Sequence, residues 1–243
     1  MSFLWFAAVI AAFFVKGVSG FANTLVFSSI MSFGTNNINI SPVDLLIGIP
    51  PNAIMVWKNK SRIDPKICVP LSLLVAAGVI PGALFLKNTD VVSIKIVFGI
   101  VIILIGIQIL LQELFIKTKE NSKPNPVLLA VLGVVSGVMC GLFGIGALLA
   151  AYVNKTASDS SAFKANMCIV FLVDNVIRFV LYTLWGILTF ESYKIALFLL
   201  PGMVAGLLLG MLVGKKLNEK TMKIVVVILL IFSGISLIVN TLR

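Results

Sequence analysis

The sequence predicts an all-α polytopic membrane protein. Of its 243 residues, 60% are hydrophobic and 12% are charged, whereas soluble domains carry roughly 25% charged residues. The hydrophobic residues form long unbroken blocks, which is typical of helices that lie in lipid. Related blocks also recur in the two halves of the chain, so we expect two homologous halves with about 8–10 membrane segments in all.

Ten apolar blocks, separated by charged, proline-bearing or glycine-bearing breaks, are the candidate membrane segments. A bilayer core of roughly 30 Å needs about 20 helical residues. The later blocks of each half can span this distance, whereas the first two of each half are short. The N-terminal block lacks the features of a cleaved signal peptide, so we expect it to be retained. The blocks lie near residues 3–15, 21–33, 43–57, 67–86, 91–116, 126–139, 142–153, 165–190, 193–214 and 222–242.

The composition argues against several classes of function. The net charge is +10, but the basic residues lie mainly between apolar blocks, where they signal membrane orientation rather than nucleic-acid binding. The chain has no histidine, and its three cysteines lack metal-ligand or CxxC spacing. It also lacks a GxxxxGKS or GxxxxGKT loop and a Ser/Lys or paired-carboxylate arrangement. We therefore expect no metal, no cofactor, no nucleic-acid partner and no enzymatic activity.

Two glycine-rich stretches interrupt the apolar blocks at equivalent positions. Residues 16–25 read KGVSGFANTL and residues 140–149 read CGLFGIGALL. We call them the first and second glycine breaks. A shift of 124 positions superimposes Gly17 on Gly141 and Gly20 on Gly144, and it places Cys140 where the first break has Lys16.

The repeat extends beyond the glycine breaks. IPPNAIMVW matches LVDNVIRFV, IPGAL matches VAGLL, and KIVFGIVIILIG matches KIVVVILLIFSG. The chain is therefore one unit of about 115 residues written twice. The predicted organisation is a first membrane repeat at 1–115, a polar linker at 116–126 and a second membrane repeat at 127–243, which together form one membrane domain.

The relative orientation of the halves depends on the shape of each glycine break. If the break only kinks a helix, each half crosses four times, and Lys and Arg divide nine to eight, which is uninformative. If the break makes a hairpin that enters and leaves on one face, each half has three further transmembrane helices and the halves are inverted. Lys and Arg then divide thirteen to four, as the positive-inside rule requires. We therefore predict inverted repeats, with both termini outside and the basic loops at 58–66, 117–123, 155–164 and 215–223 inside.

A hairpin of two short helices places its glycine turn inside the membrane, since about 13 residues reach only some 20 Å. Irregular backbone at that depth lines a cavity or is buried in protein. The N–H groups at the start of the second helix favour an anion there. The alternative is that the glycines serve only close helix packing. Their repetition in both halves favours a substrate or pore role.

Three charged residues lie within apolar blocks, where isolated charges are costly. Asp174 and Arg178 are four positions apart, so they form either a structural ion pair or part of a site. Lys16 has no acidic neighbour within four positions, and it either snorkels to an interface or adds positive charge to a site. Asp174 is the one acidic residue that we place well inside a block. These charges favour an anion over a cation as the ligand.

Neutral polar residues complete the predicted site. Amide and hydroxyl groups at this depth donate to an oxyanion or hold helices together, and four of them lie at the first break or on the repeated asparagine segments. The predicted substrate-binding residues are Lys16, Gly17, Gly20, Asn23, Thr24, Asn52, Gly141, Gly144, Asn175 and Arg178, with Asp174 as a coupling residue or ion-pair partner.

The sequence resembles the sulfite exporter TauE/SafE family of bacterial and archaeal membrane permeases. The resemblance lies in GVSGFANTLV and GLFGIGALLAAYV at the glycine breaks and in GVIPGALF before a long apolar block. It covers nearly the whole chain and is closer at the second break than at the first. The family's usual run of consecutive glycines is replaced here by FANT and GIGA.

The resemblance implies a permease in the cytoplasmic membrane that moves a small anion. Its substrate would be a sulfur oxyanion such as sulfite, or an organosulfonate or carboxylate. The absence of a nucleotide-binding loop leaves a secondary transporter or, as the alternative, an anion channel with a continuous pore. The expected partners are the small anion and membrane lipid, and a homo-oligomer is left open.

Overall fold

The computed structural model describes residues 3–31, 37–88, 126–144 and 160–214, together with isolated positions within 92–111, at 149 and 153, and within 231–239. These residues form seven α-helices and one 3₁₀ turn, and they contain no strand. The prediction of an all-α fold is confirmed for these residues. The helices are α1 Phe3–Ser19, α2 Asn23–Met31, α3 Asn37–Lys58, α4 Pro65–Asn88, α5 Pro126–Phe143, α6 Ser160–Leu184 and α7 Phe190–Gly214, and the 3₁₀ turn is Lys60–Arg62.

Four of the described helices are long and apolar enough to cross a membrane. They are α3 from residue 39 onward, α4, α6 from residue 162 onward, and α7. The first two helices are shorter, with 17 residues in α1 and 9 in α2, or about 25 and 13 Å at 1.5 Å per residue. The linker at 116–126 and the blocks at 91–116, 142–153 and 222–242 lie wholly or mostly outside the described residues.

The end of α6 differs from the predicted block, which ran to residue 190. The helix ends at Leu184 because Gly186 adopts a φ of 69°. The N–H of Ile187 donates to the Tyr182 carbonyl at 2.9 Å, and that of Gly186 donates to the Thr183 carbonyl at 3.2 Å. These two bonds are the Schellman pattern that a left-handed glycine permits.

The chain reverses direction between α1 and α2. The rings of Trp5 and Phe27 meet edge to face, with centroids 6.0 Å apart. A single continuous helix would separate these residues by about 33 Å. The first glycine break therefore forms a hairpin, and the kinked-helix alternative is wrong for the first half.

Helices from opposite halves pack in two matching pairs, α1 with α7 and α5 with α4. Both pairs are parallel and meet at glycines. Along α7, Gly206 contacts Ile10 and Gly210 contacts Phe14. Glycines allow such close approach because no side chain separates the helix backbones.

The second pair repeats these contacts and corrects one match made from sequence. Along α4, Gly78 contacts Val134 and Gly82 contacts Val138, which are the positions equivalent to Ile10 and Phe14 at the shift of 124. Gly82 is therefore the structural counterpart of Gly210, and not of Gly206 as the match of IPGAL with VAGLL implied. That match was wrong by one helical turn, because short glycine motifs recur every four residues.

Contacts at the two ends of the helices, including those of the basic residues there, give the directions in which α4, α6 and α7 run. At the start of α4, the Asp64 N–H donates to Asn166 Oδ1 at 2.9 Å, so the 58–66 loop lies beside the start of α6. At the opposite end, Lys87 lies over the ring of Trp185, which follows α6. Helix α7 starts at this second end, and its Gly214 contacts Val18, whose carbonyl accepts a bond from Lys164 near the start of α6. Hence α4 and α6 run one way, and α7 runs the other way.

Candidate functional site

A polar cavity lies where α2, α3, α6 and the second glycine break meet. It has a volume of about 20 Å³, which is room for roughly one water molecule. Its wall includes Gly48 at the centre of α3 and Phe171 beside the centre of α6, so the cavity is at mid-height in the long helices. The polar residues in its wall are Asn23, Thr24, Asp44, Asn52, Asp174, Asn175 and Arg178.

Each glycine break ends a helix in the same way. Gly20 has a φ of 85° and Gly144 a φ of 72°, values that glycine adopts without steric cost. The N–H of Gly20 donates to the Lys16 carbonyl at 2.7 Å, and that of Gly144 donates to the Cys140 carbonyl at 2.8 Å. This single bond across four residues is the left-handed helix cap. The helix caps at Gly20 and Gly144 are therefore equivalent in conformation as well as in sequence.

The first break turns directly into the start of α2 at the cavity wall. Ala22 also has a left-handed φ, of 69°, and α2 begins at Asn23. Leu25 and the two residues before it line the cavity. Because the first N–H groups of a helix lack partners within it and carry partial positive charge, this end of α2 favours an anion. The corresponding residues after Gly144, at 145–148, lie outside the described residues.

Lys16 is buried directly behind the cavity wall, with 1% of its surface exposed. Its Nζ donates to Asn52 Oδ1 at 2.7 Å and to Asn23 Oδ1 at 3.1 Å. The snorkelling alternative is therefore wrong. The positive charge is held by two neutral amides, both of which line the cavity.

Arg178 reaches the cavity from α6 and is 2% exposed. Its Nε donates to Asp174 Oδ2 at 3.1 Å, and its Nη2 donates to Asn175 Oδ1 at 3.0 Å. Its Nη1 is buried and has no hydrogen-bond partner among the described residues. The predicted ion pair exists, and it leaves one nitrogen of the guanidinium available.

The space beside that nitrogen exists because residue 144 is glycine. A Cβ added to Gly144 would lie 2.9 Å from Arg178 Nη1, 2.9 Å from Thr24 Cγ2 and 3.2 Å from Asp44 Oδ2. The second glycine break, the first turn of α2 and the buried guanidinium therefore converge on one point.

Asp44 is a functional candidate that the sequence analysis missed. It is 2% exposed, and its Oδ2 accepts a 2.7 Å bond from the Thr24 hydroxyl. The expectation that Asp174 is the one embedded acid is wrong. Asp44 is the second residue of the predicted block at 43–57, so in sequence it resembles a residue at the end of a membrane segment, but α3 begins at Asn37 and carries it inside.

The buried charges balance when all four are ionised. Lys16 and Arg178 contribute two positive charges, and Asp44 and Asp174 contribute two negative ones. The predicted excess of positive charge is therefore absent from the described site. The attraction of the site for an anion therefore depends on the hydrogen-bond donors that face the cavity rather than on the net charge of the site.

A family model described as sulfite exporter TauE/SafE matches residues 4–237. This chain belongs to that family. No match was found among curated proteins or solved structures. The resemblance seen in the sequence is thus confirmed, and with the long apolar helices it identifies a membrane protein of a transporter family.

Seven of the eleven site residues predicted for this TauE/SafE chain line the cavity, and Lys16 supports two of them. The other three glycines lie at helix contacts. Gly17 packs against the backbone of α7 and Gly141 against that of α4, while a Cβ on Gly20 would meet the Lys164 side chain at 2.5 Å. The described contacts give Gly17 and Gly141 the packing role that was the alternative. The seven are Asn23, Thr24, Asn52, Gly144, Asp174, Asn175 and Arg178.

Proposed function

We propose that the chain is a secondary transporter that binds a small oxyanion, such as sulfite or an organosulfonate, at the Nη1 atom of Arg178. This buried nitrogen with no partner in the described structure is the observation that carries the proposal. An unused N–H inside a protein is costly, and a ligand oxygen removes that cost. Because the donor is charged, the bond to an oxyanion is short and strong.

Neighbouring groups complete an anion site around this nitrogen. The first turn of α2 faces the same cavity, and the Nδ2 groups of Asn23 and Asn175 lie near the position that a Cβ on Gly48 would occupy, at 4.0 and 3.9 Å. Amide N–H groups and helix N-termini bind anionic oxygens without adding net charge. A carboxylate or a sulfur oxyanion fits this donor set.

The small volume of the cavity favours a transporter over a channel. The described walls leave room for about one water molecule, which is less than an oxyanion needs, so we expect the walls to move when an anion binds. Movement around one central site is alternating access, whereas a channel needs a continuous pore. The alternative of an anion channel predicts flux that does not saturate at low substrate concentration.

We also propose that the two halves are inverted repeats that rock against each other. Helix α1 runs parallel to α7, α5 runs parallel to α4, and α4 runs opposite to α7, so the two first helices of the repeats run in opposite directions. The glycine-lined contacts of α1 with α7 and of α5 with α4 join the halves and provide the sliding surfaces. Together with the thirteen to four division of Lys and Arg, the inverted arrangement supports a cytoplasmic location for the 58–66 loop and an outer location for the termini.

Transport by purified protein in liposomes tests the proposal. We expect saturable uptake of at least one anion in a panel of sulfite, thiosulfate, sulfoacetate, sulfate and small carboxylates, and competition among the anions that are carried. Lys194→Gln is the matched control for changes at Arg178, because it removes an exposed basic residue at the start of α7. Flux that rises linearly with concentration would favour the channel, and absence of flux for the whole panel would contradict an anion site.

A further inference from the structure

Asp44 is a buried carboxylate in the cavity with no cationic hydrogen-bond partner in the described structure. Its Oδ2 accepts a bond from Thr24, which is neutral, and its Oδ1 is buried without a hydrogen-bond partner among the described residues. The other buried acid is different, because Asp174 is paired with Arg178 at 3.1 Å. Of the two acids, Asp44 is therefore the one whose negative charge is less stabilised by direct contacts.

None of the other titratable groups near Asp44 makes a hydrogen bond to it in the described structure. Lys16 from α1 bonds to two amides, and Arg178 from α6 bonds to Asp174 and Asn175. On the same side of the site, Cys140 of α5 is a buried free thiol, and Tyr182 of α6 donates to the Gly141 carbonyl. The described titratable groups of α7 are in its first turn, at Glu191, Tyr193 and Lys194.

An anion at Arg178 Nη1 would lie beside Asp44. Both Nη1 and Asp44 Oδ2 are within 3.2 Å of the one position that a Cβ on Gly144 would occupy. An oxyanion there would place a second negative charge against the carboxylate, in a site whose four buried charges already sum to zero. Like charges at such distances strongly disfavour each other where water is excluded.

We propose that Asp44 binds a proton when the anion binds at Arg178 and releases it when the anion leaves, so that the chain carries the anion together with a proton. The proton resides on Oδ1, which has no other partner, while Oδ2 continues to accept the bond from Thr24. Protonation removes the negative charge that faces the anion. It restores a neutral sum when the anion is monovalent, and it halves the excess negative charge when the anion is divalent. This inference rests on the proposed function, since it requires anion binding in the cavity.

Proton uptake on binding can be measured directly by calorimetry of the purified full-length protein. Thiosulfate and sulfate are suitable probes because both are fully ionised dianions near neutral pH, so a proton taken up on binding goes to the protein. Titrations in buffers of different ionisation enthalpy give the number of protons taken up per bound anion. We expect uptake that reaches about one proton per anion, with a Kd that falls as the pH is lowered, by up to about tenfold per pH unit.

Three variants assign the proton to one side chain. Asp44→Asn mimics the protonated acid, so it should bind the probe without proton uptake and with a Kd that no longer changes with pH. Asp44→Glu should restore uptake, and Glu191→Gln, which removes an exposed carboxylate at the start of α7, should leave it at the wild-type value.

The outcomes separate this inference from the proposed function. Thiosulfate or sulfate that binds the wild-type protein with no proton uptake at any pH would overturn the role of Asp44 and leave the anion site intact. Uptake that persists in Asp44→Asn would also overturn it, as would accumulation driven by a sodium gradient and indifferent to a pH gradient. Failure of both probes and of the wider panel to bind would overturn the proposed function and this inference with it.

Discussion

Lys16 and Asn52, from the first and third helices, meet in a 2.7 Å hydrogen bond beside the cavity. The counterpart of Asn52 in the second repeat, Asn175, accepts a 3.0 Å bond from Arg178. Each of the two repeated asparagines therefore holds one buried cation. The cations themselves are not equivalent, because Lys16 corresponds to Cys140, and Arg178 corresponds to Met55 at the shift of 123 that aligns the asparagine segments.

Replacing Lys16 by Met should weaken anion affinity by about tenfold or more, which corresponds to about 1.4 kcal/mol. The change removes the donor that orients Asn52 and Asn23 and also removes a buried positive charge. It should lower thermal stability as well, because two buried amide oxygens lose their partner. Binding and melting measurements on Lys16→Met and on the exposed control Lys194→Met check this. Wild-type affinity in Lys16→Met would exclude the residue from the site.

Replacing Arg178 by Gln should abolish transport and destabilise the protein by about 3–5 kcal/mol, because Asp174 is left as a buried charge without its partner. The double variant Arg178→Gln with Asp174→Asn removes both charges, and it should recover most of the stability but no transport. Proteoliposome uptake and thermal unfolding distinguish the two effects. Recovery of transport in the double variant would show that the pair is structural and that Arg178 is not the anion ligand.

The glycine breaks were predictable because conformation at such sites is local. A left-handed helix cap strongly favours glycine, so Gly20 and Gly144 are visible in sequence as equivalent interruptions of apolar blocks. Lys16 and Arg178 were visible for a similar reason, since a charge in an apolar block is conspicuous. Local patterns thus located most of the cavity lining.

Pairing across the fold could not be predicted in the same way. Asp44 was missed because it is the second residue of the predicted block at 43–57 and so resembled a residue at a membrane boundary, whereas α3 begins earlier, at Asn37. Gly17 and Gly141 were assigned to the substrate because their helix contacts arise from segments about 60 to 190 residues away. A single sequence also does not reveal that the buried charges cancel, since that depends on which residues converge.

Replacing Gly144 by Ala should impair anion binding beyond its effect on stability. The left-handed φ costs an alanine about 1–2 kcal/mol, and the added Cβ would lie 2.9 Å from Arg178 Nη1. Gly186→Ala is a matched control, since its φ of 69° is similar and no atom lies within 4 Å of the added carbon. We expect similar backbone strain in both variants but a loss of affinity, about tenfold or more, in Gly144→Ala alone. Equal affinities would mean that the space beside Gly144 is not the binding site.

Alanine at Gly17 or Gly141 should lower the stability of the protein and leave its anion affinity unchanged, whereas alanine at Gly48 should lower the affinity and leave the stability unchanged. A Cβ on Gly17 would lie 2.6 Å from the Leu207 carbonyl oxygen, and one on Gly141 would meet the Val79 carbonyl oxygen. Such overpacking costs about 1–3 kcal/mol of stability, and the folded protein should retain its affinity. A Cβ on Gly48 meets Asn175 Nδ2 at a comfortable 3.9 Å, so Gly48→Ala should preserve stability while narrowing the cavity. Calorimetric melting and anion-binding measurements on the same samples check this prediction. A Gly17→Ala variant that loses affinity without losing stability would refute it.

The orientation of the chain can be tested by labelling single cysteines with a membrane-impermeant reagent. In a background in which Cys68, Cys140 and Cys168 are replaced by alanine, Lys60→Cys should react from the cytoplasmic side and Lys87→Cys from the outer side. Both side chains are exposed, at opposite ends of α4, and the thirteen to four division of basic residues assigns the Lys60 end to the cytoplasm. A third site, Phe3→Cys, should react from the same side as Lys87→Cys, because α1 runs parallel to α7 and starts at that end. Labelling of Lys60→Cys and Lys87→Cys from one side would contradict a membrane-spanning α4, and labelling of Phe3→Cys together with Lys60→Cys would contradict the inverted arrangement of the two first helices.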